Sequence, residues 1–216
     1  MCIRDSLGIG MALVMAKDFH GRGLLRAAVL VPWAIPTAIT AKLWAFLFSE
    51  QGIVNSIFHA HVAWQTDPWA ARFSIILADV WKTTPFMALL ILAGLQMIPK
   101  DLYEAARMDG ANAWQRFTRI TLPLAKNSII VAVLFRMLDA LRMYDLPYIM
   151  VGPNPDSPTA TLSQLVVAAI RQDHVNAASA LSTLIFLLIF LIALCFVKSL
   201  GSKVAHQAEP VVAEEE

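Results

Sequence analysis

Charge is scarce in this chain. Asp, Glu, Lys and Arg make up 15% of its 216 residues, against 58% hydrophobic. A soluble domain carries about a quarter of its residues as charges. A water-soluble globular protein is therefore excluded, and a mean hydropathy of +0.61 points to an integral membrane protein. The net charge of +1 supplies no long-range field for nucleic acid or for an acidic partner. Cysteine is nearly absent. Cys2 and Cys195 give neither a disulfide framework nor a metal-ligand spacing, so both are expected to be inert thiols. The five histidines are scattered. His59 and His61 lie close together but have no third ligand nearby, so a solvated loop pair is expected and no metal site.

Catalytic patterns are missing as well. There is no G-x-S-x-G, no H-E-x-x-H and no histidine within an apolar run, which argues against a membrane-embedded hydrolase. There is no G-x-x-x-x-G-K-[ST], so the chain carries no P-loop for a nucleotide. No catalytic residue and no bound cofactor are expected.

What is present is a series of apolar runs. Residues 1–6, MCIRDS, fit nothing that follows. Leu7–Ala16 is too short to span a bilayer alone. It could be the apolar stretch of a signal peptide; the preferred expectation is the second half of a crossing whose beginning is missing, with a cytoplasmic loop up to residue 23. Residues 24–200 form the transmembrane core. Leu24–Phe48 is expected as one kinked span around Pro32 and Pro36. Ser49–Arg72 is expected as an outer loop whose Trp64 and Trp69 suit a membrane interface. Phe73–Met97 is the second span, where Asp79 and Lys82 at i and i+3 can neutralise each other. Leu124–Met150 is the third, with Arg136, Asp139, Arg142 and Asp145 at every third position. Arg136 would lie roughly 18 Å above Leu124. Lipid cannot solvate such a ladder, so it must face other helices or a water-filled cavity. It is either an internal salt-bridge network or the lining of a polar translocation path. Val151–Thr159 is a turn-rich outer loop, and Ala160–Asp173 an amphipathic helix with Leu162, Leu165, Val166 and Ala169 on one face. Asn176–Val197 is the last span, and residues 201–216 a disordered cytoplasmic tail.

Between the second and third spans lies Glu104–Leu124, the only long stretch that is both charged and helix-patterned. Pro99 suits a first helical position. Lys100–Asp109 reads as a short helix with Leu102, Ala105, Ala106 and Asp109 on one face. Gly110 reads as its stop. Asn112 with Gln115 forms a capping-box pattern that opens a second helix. Trp114, Phe117 and Thr121 would share that helix's inner face, and Pro123 starts the next apolar run. With this loop inside, ten Lys and Arg are cytoplasmic: Lys17, Arg22, Arg26, Lys100, Arg107, Arg116, Arg119, Lys126, Lys198 and Lys203. Only Arg72 and Arg171 lie in the outer loops, so the positive-inside bias places the loop and the C-terminus in the cytoplasm.

The spacing Glu104-Ala105-Ala106, Gly110, Ile120 and Leu122-Pro123 resembles the EAA loop of ABC importer permeases. Further stretches resemble the maltose-type sugar permeases: Val31-Pro32 to Pro36, Trp81–Gly94, Leu95–Pro99, Leu138–Leu146 and Ala177–Ser182. The look is closest to actinobacterial trehalose importers. A departure is Met150-Val151-Gly152-Pro153, where the family often has Thr-Gly-Gly-Pro.

The resemblance implies an all-α, polytopic transmembrane bundle of six core helices, five and a half of them in this chain. It implies a permease subunit in a cell inner membrane importing a di- or oligosaccharide such as trehalose or maltose. The implied partners are a second permease, an ATPase dimer that holds ATP and Mg, an extracytoplasmic sugar-binding protein and surrounding lipid. Glu104, Ala105, Ala106, Asp109, Gly110, Leu122 and Pro123 would couple the chain to the ATPase. Glu104 would sit at the docking surface, Ala105 and Ala106 would let the helix lie deep in a groove, and Gly110 would permit the turn. Arg136, Asp139, Arg142 and Asp145 would line a path. A permease for a non-sugar solute and a non-transporting scaffold or channel subunit remain alternatives.

Overall fold

The computed structural model describes residues 2–59, 61–154 and 156–205. Among the described residues every regular element is helical. Three helices among the described residues are long and apolar enough to cross a membrane, or four if one bent pair counts as a single span. This is fewer than the five and a half core helices that the resemblance implies.

The central element is α5 (Pro68–Gln96). Asp67 caps it, its carboxylate accepting the N–H groups of Trp69 at 3.0 Å and Ala70 at 2.8 Å. Pro68 follows at the first turn, where its missing donor costs nothing. This start lies inside the stretch expected as loop. An Asp-Pro pair just ahead of an apolar run was the available signal. The same outer stretch also folds into the short helix α4 (Ile53–Phe58). Buried Asn55 ties it down by donating to the Glu50 and Val62 carbonyls and accepting from Trp64 Nε1 at 2.7 Å.

Helix α1 (Cys2–Ala16) begins earlier than its composition suggests and includes most of the opening polar residues. It packs along α5. Ala12 and Met15 join Met87, Ala88, Ile91 and Leu92 of α5, and Ala132 of α8 (Leu122–Leu141), in one apolar core. A second core forms towards the other end of α5, from Ile75 and Ala78. Its partners are Ala41 of α3 (Thr37–Leu47), Phe48, and Leu146 and Met150 of α9 (Asp145–Val151).

Two expected spans are broken. Leu24–Phe48 is not one kinked span: α2 (Arg22–Ala34) and α3 meet at 87°. Pro32 is tolerated within α2, whereas Pro36 N-caps a new helix. Leu124–Met150 is also interrupted. Helical structure runs over Ala113–Leu141, halts at Arg142, and resumes as α9. By contrast α10 (Leu162–Arg171) lies where an amphipathic helix is expected, with a capping box between Thr161 and Gln164. Helix α11 (Val175–Ala205) is the last span; residues 201–205 continue it, and the rest of the expected tail lies outside the described residues. Ala178 near the start of α11 is buried, but Leu184, Phe186, Leu187, Leu188, Phe190 and Leu191 stand exposed, which costs nothing where lipid tails are the solvent.

Helices α5 and α8 approach closely at Gly94. A Cβ placed there would overlap the Ser128 side chain. Gly94→Val should therefore lower stability by about 1–3 kcal/mol, the usual range for overpacking, read as thermal unfolding in detergent. Gly94→Ala in a Ser128→Gly background should unfold close to wild type.

Candidate functional site

Two places concentrate polar chemistry. The first lies between the two apolar cores. Asp79 of α5 is buried and accepts two hydrogen bonds from Arg136 Nη2 of α8, at 2.7 and 2.6 Å. Arg136 is 3% exposed at its side chain and also pairs with Asp139, whose side chain is 62% exposed. Arg4 of α1 makes a further ion pair with Asp79. The expected Asp79–Lys82 pair is absent. Lys82 Nζ instead donates to the Ile35 carbonyl at 2.5 Å. The i, i+3 spacing permits the pair, but α8 supplies Asp79 with a guanidinium whose Nη2 meets both carboxylate oxygens, and the ammonium goes to the carbonyl at the α2–α3 break.

The charge ladder is likewise only partly realised. Arg136 and Asp139 touch, but Arg142 caps α8 and Asp145 opens α9. Among the described residues neither Arg142 nor Asp145 makes an ion pair. The interruption at Arg142–Tyr144 removes the continuous helix surface that a three-residue ladder needs. What unites the four is different: Asp139, Arg142 and Asp145 line a hollow of about 160 Å³ with Thr37, Asp79, Lys82 and Thr83, and Arg136 anchors Asp79 behind it. The hollow is smaller than the roughly 300 Å³ at which ligand pockets begin. It has room for a few waters. Missed from sequence were Thr37 and Thr83, whose only signal was their place beside Pro36 and Lys82.

The second place is the helix–turn–helix. Helix α6 (Lys100–Met108) is one residue shorter than expected, and Pro99 is its N-cap, not its first residue. Gly110 takes φ +76°, a left-handed conformation in which side chains are strained. The Asn112–Gln115 capping box forms as expected and opens α7 (Ala113–Arg116). A π-helical turn, Phe117–Thr121, then leads into α8. There the N–H of Leu122 reaches back five residues to the Phe117 carbonyl. Pro123 cannot donate to the Arg119 carbonyl and its ring would crowd it, so widening this turn relieves the start of α8.

The four residues expected on one face of α6 are not buried together. Tyr103 and Ala106 are half-buried, whereas Leu102, Ala105 and Asp109 are exposed, as is Glu104. Tyr103 Oη and Thr121 Oγ1 are hydrogen-bonded at 3.0 Å. Thr121 is buried, Phe117 half-buried, and Trp114 turns outward at 71% exposure, contrary to the shared inner face expected for the three. Met97, Leu102, Met108 and Trp114 leave large apolar surfaces bare around α6, with Met108 at 89%. A second hollow, about 400 Å³, lies within the hairpin between Ala106, Asp109, Gly110, Arg116 and Arg119. Leu122 and Pro123 are exposed at the base of α8. Lys100 reaches Asp18 in the α1–α2 linker at 3.1 Å. That hydrogen bond, with the charges of Lys100 and Arg22, holds the Asp18 carboxyl below its ordinary pKa. Among the described residues no group of three His, Cys, Asp or Glu is placed to hold a metal ion.

A helical membrane bundle with paired ions around a small polar hollow, and with an amphipathic hairpin left bare, is built as a membrane transport component. The chain belongs to the family described as the inner membrane component of binding-protein-dependent transport systems, which it matches over residues 6–206. It is 44% identical over 197 residues to the trehalose/maltose transport system permease protein MalF of Thermococcus litoralis, covering 89% of this chain and 67% of that one. It is 39% identical over 198 residues to the trehalose transport system permease protein SugA of Mycobacterium tuberculosis, covering 91% and 64%. The chain thus spans about two thirds of the length of these curated relatives. Among solved structures it resembles a bacterial ABC transporter involved in the import of the acidic polysaccharide alginate, with TM-score 0.80, 26% identity, and coverage of 89% of this chain and 71% of that one. A bacterial alginate ABC transporter in complex with an alginate pentasaccharide-bound periplasmic protein matches at TM-score 0.78 and 25% identity, with 89% and 70% covered.

Two outcomes are expected at these sites. Asp79→Ala should cost about 3 kcal/mol by taking the shared carboxylate from Arg136 and Arg4, and Asp79→Ala with Arg136→Met should recover only part of it, because Arg4 still lacks its partner; thermal unfolding in detergent reads both. The Asp18–Lys100 tie should be complete above the ordinary aspartate range and lost as pH falls through the lowered Asp18 value. An infrared carboxylate titration should place Asp18 below a free aspartate, and Lys100→Gln should move it back up.

Proposed function

We propose that this chain is one permease subunit of an ATP-driven importer for a di- or oligosaccharide such as trehalose or maltose. The observation that carries the reading is the bareness of α6. It buries no residue while Leu102 and Met108, with Met97 and Trp114 beside it, stand exposed. Burying one Met or Leu side chain is worth about 1.5–3 kcal/mol, so a partner that covers a few of them gains a firm seat. The partner is an ATPase dimer that holds ATP and Mg; this chain has no P-loop of its own. Glu104 and Ala105 lie on the exposed side of α6, where the charge can pair with the ATPase and the small side chain admits close approach. Asp109 and Gly110 shape the turn, and Leu122 and Pro123 open the span that the motion reaches.

A second permease subunit completes the pathway, and an extracytoplasmic binding protein delivers the sugar. The sugar class follows the relatives named for trehalose and maltose. Closure of the ATPase on nucleotide draws the docked helices together, and the spans above rock between inward-open and outward-open forms. Asp139, Arg142 and Asp145 line part of the pathway, in a conformation too tight for a disaccharide. The hairpin and the C-terminus face the cytoplasm, in keeping with ten Lys and Arg on that side against two outside.

Glu104→Lys and Gly110→Pro should each leave the protein in the membrane, abolish uptake of labelled trehalose into vesicles, and release the ATPase on pull-down. Wild-type uptake by either variant would sink the coupling role.

A further inference from the structure

Helix α6 is held at both ends by the chain itself, through Pro99 to α5 and through the Gly110 turn to α7. Two end points fix the axis of a short helix. They leave its roll about that axis free, and the roll decides which side chains face a partner. Only an off-axis contact can set it. Among the described residues, two side-chain hydrogen bonds or ion pairs join α6 to other elements: Lys100 to Asp18 and Tyr103 to Thr121. The first is solvent-exposed on both sides and screened by salt. The second reaches a buried threonine.

Thr121 sits in the π-helical turn at the foot of α8. Its Oγ1 lies 3.4 Å from the Arg116 carbonyl, five residues back, and 3.0 Å from Tyr103 Oη. Either hydroxyl of the pair can donate; when the phenol does, the threonine proton is free for that carbonyl. The widened turn thus supplies the seat for the tyrosine, as expected where a side chain inserts into a helix ladder. With Tyr103 turned to the span, Ala105 and Met108 lie on the opposite side of α6, at 100° per residue.

We infer that the Tyr103–Thr121 hydroxyl pair is the strut that fixes the roll of α6 and passes its displacement to α8. Both are positioning residues for coupling ATP hydrolysis to transport. The inference rests on the proposed function and adds to it the route by which the load leaves the docking helix. The Gly110 turn joins α6 to α7 but gives it no off-axis tie to α8.

The test uses the full chain assembled with its partner permease and ATPase in vesicles, with labelled trehalose as probe and phosphate release as the hydrolysis readout. Tyr103→Phe and Thr121→Val should each lower trehalose imported per ATP hydrolysed about fivefold, the loss of one hydrogen bond. The ATPase should stay bound and half-saturating trehalose should not change. Thr121→Ser, which keeps the hydroxyl, should stay near wild type. The double variant should fall no further than either single change. An unchanged ratio in Tyr103→Phe would overturn the strut, and so would single effects that multiply in the double variant. Loss of the ATPase from Tyr103→Phe would overturn it too, making the tyrosine a docking contact while the importer reading stands. A wild-type complex that binds no ATPase would instead bring down that reading, and the strut with it.

Discussion

The buried ion pair between Arg136 and Asp79 is the constraint on which the bundle depends. Each group alone would be costly inside a membrane, by several kcal/mol at the bilayer centre. Together, with Arg4 also on Asp79 and with Asp139 at the other terminal nitrogen of the guanidinium, their charges offset one another. The requirement is geometric as well as energetic. It fixes how α8 is turned against α5, because a helix rotated by one residue would swing the guanidinium 100° away. The two apolar cores lie on either side of this contact along α5, so neither can slide without separating the ions.

The irregular backbone follows the same logic. Non-helical segments survive at membrane depth only where protein or water satisfies their carbonyls. Ile35 caps the end of α2, and its carbonyl takes the Lys82 ammonium. Arg142 caps the end of α8, and α9 begins three residues on. Residues from both breaks line one hollow with Asp79 and Asp139. Lys82 is therefore tied to the bend and Asp79 to the helix interface, although they are one turn apart on the same helix. A salt bridge between them would have left the Ile35 carbonyl without the ammonium and Arg136 with Asp139 alone.

The hairpin answers to the opposite condition. Its polar ends are satisfied locally, by the capping box and the Gly110 turn, so it needs little from the bundle to keep its shape. Its apolar side chains remain uncovered. The contrast with α11 is instructive. There, exposed leucine and phenylalanine suit lipid. On α6 they alternate with Lys100, Asp101, Glu104 and Arg107, a mixture that suits a protein surface.

Local chemistry was open to inspection in the sequence. The hairpin's stop at Gly110, its capping box, the short helix before the last span and the all-helical class each depend on neighbouring residues or on composition, and each appears in the fold. The family resemblance rested on that same local spacing, and the match over residues 6–206 agrees with it. What the linear pattern could not give was choice among partners. Spacing allowed Asp79 to meet Lys82, and allowed a four-charge ladder, because both are possible within one helix. Only the packing of α5 against α8, and the breaks at Pro36 and Arg142, decided which contacts formed. Periodicity specifies what a helix can present, whereas the partner that takes it is set by elements distant in the chain and brought within 3 Å by folding.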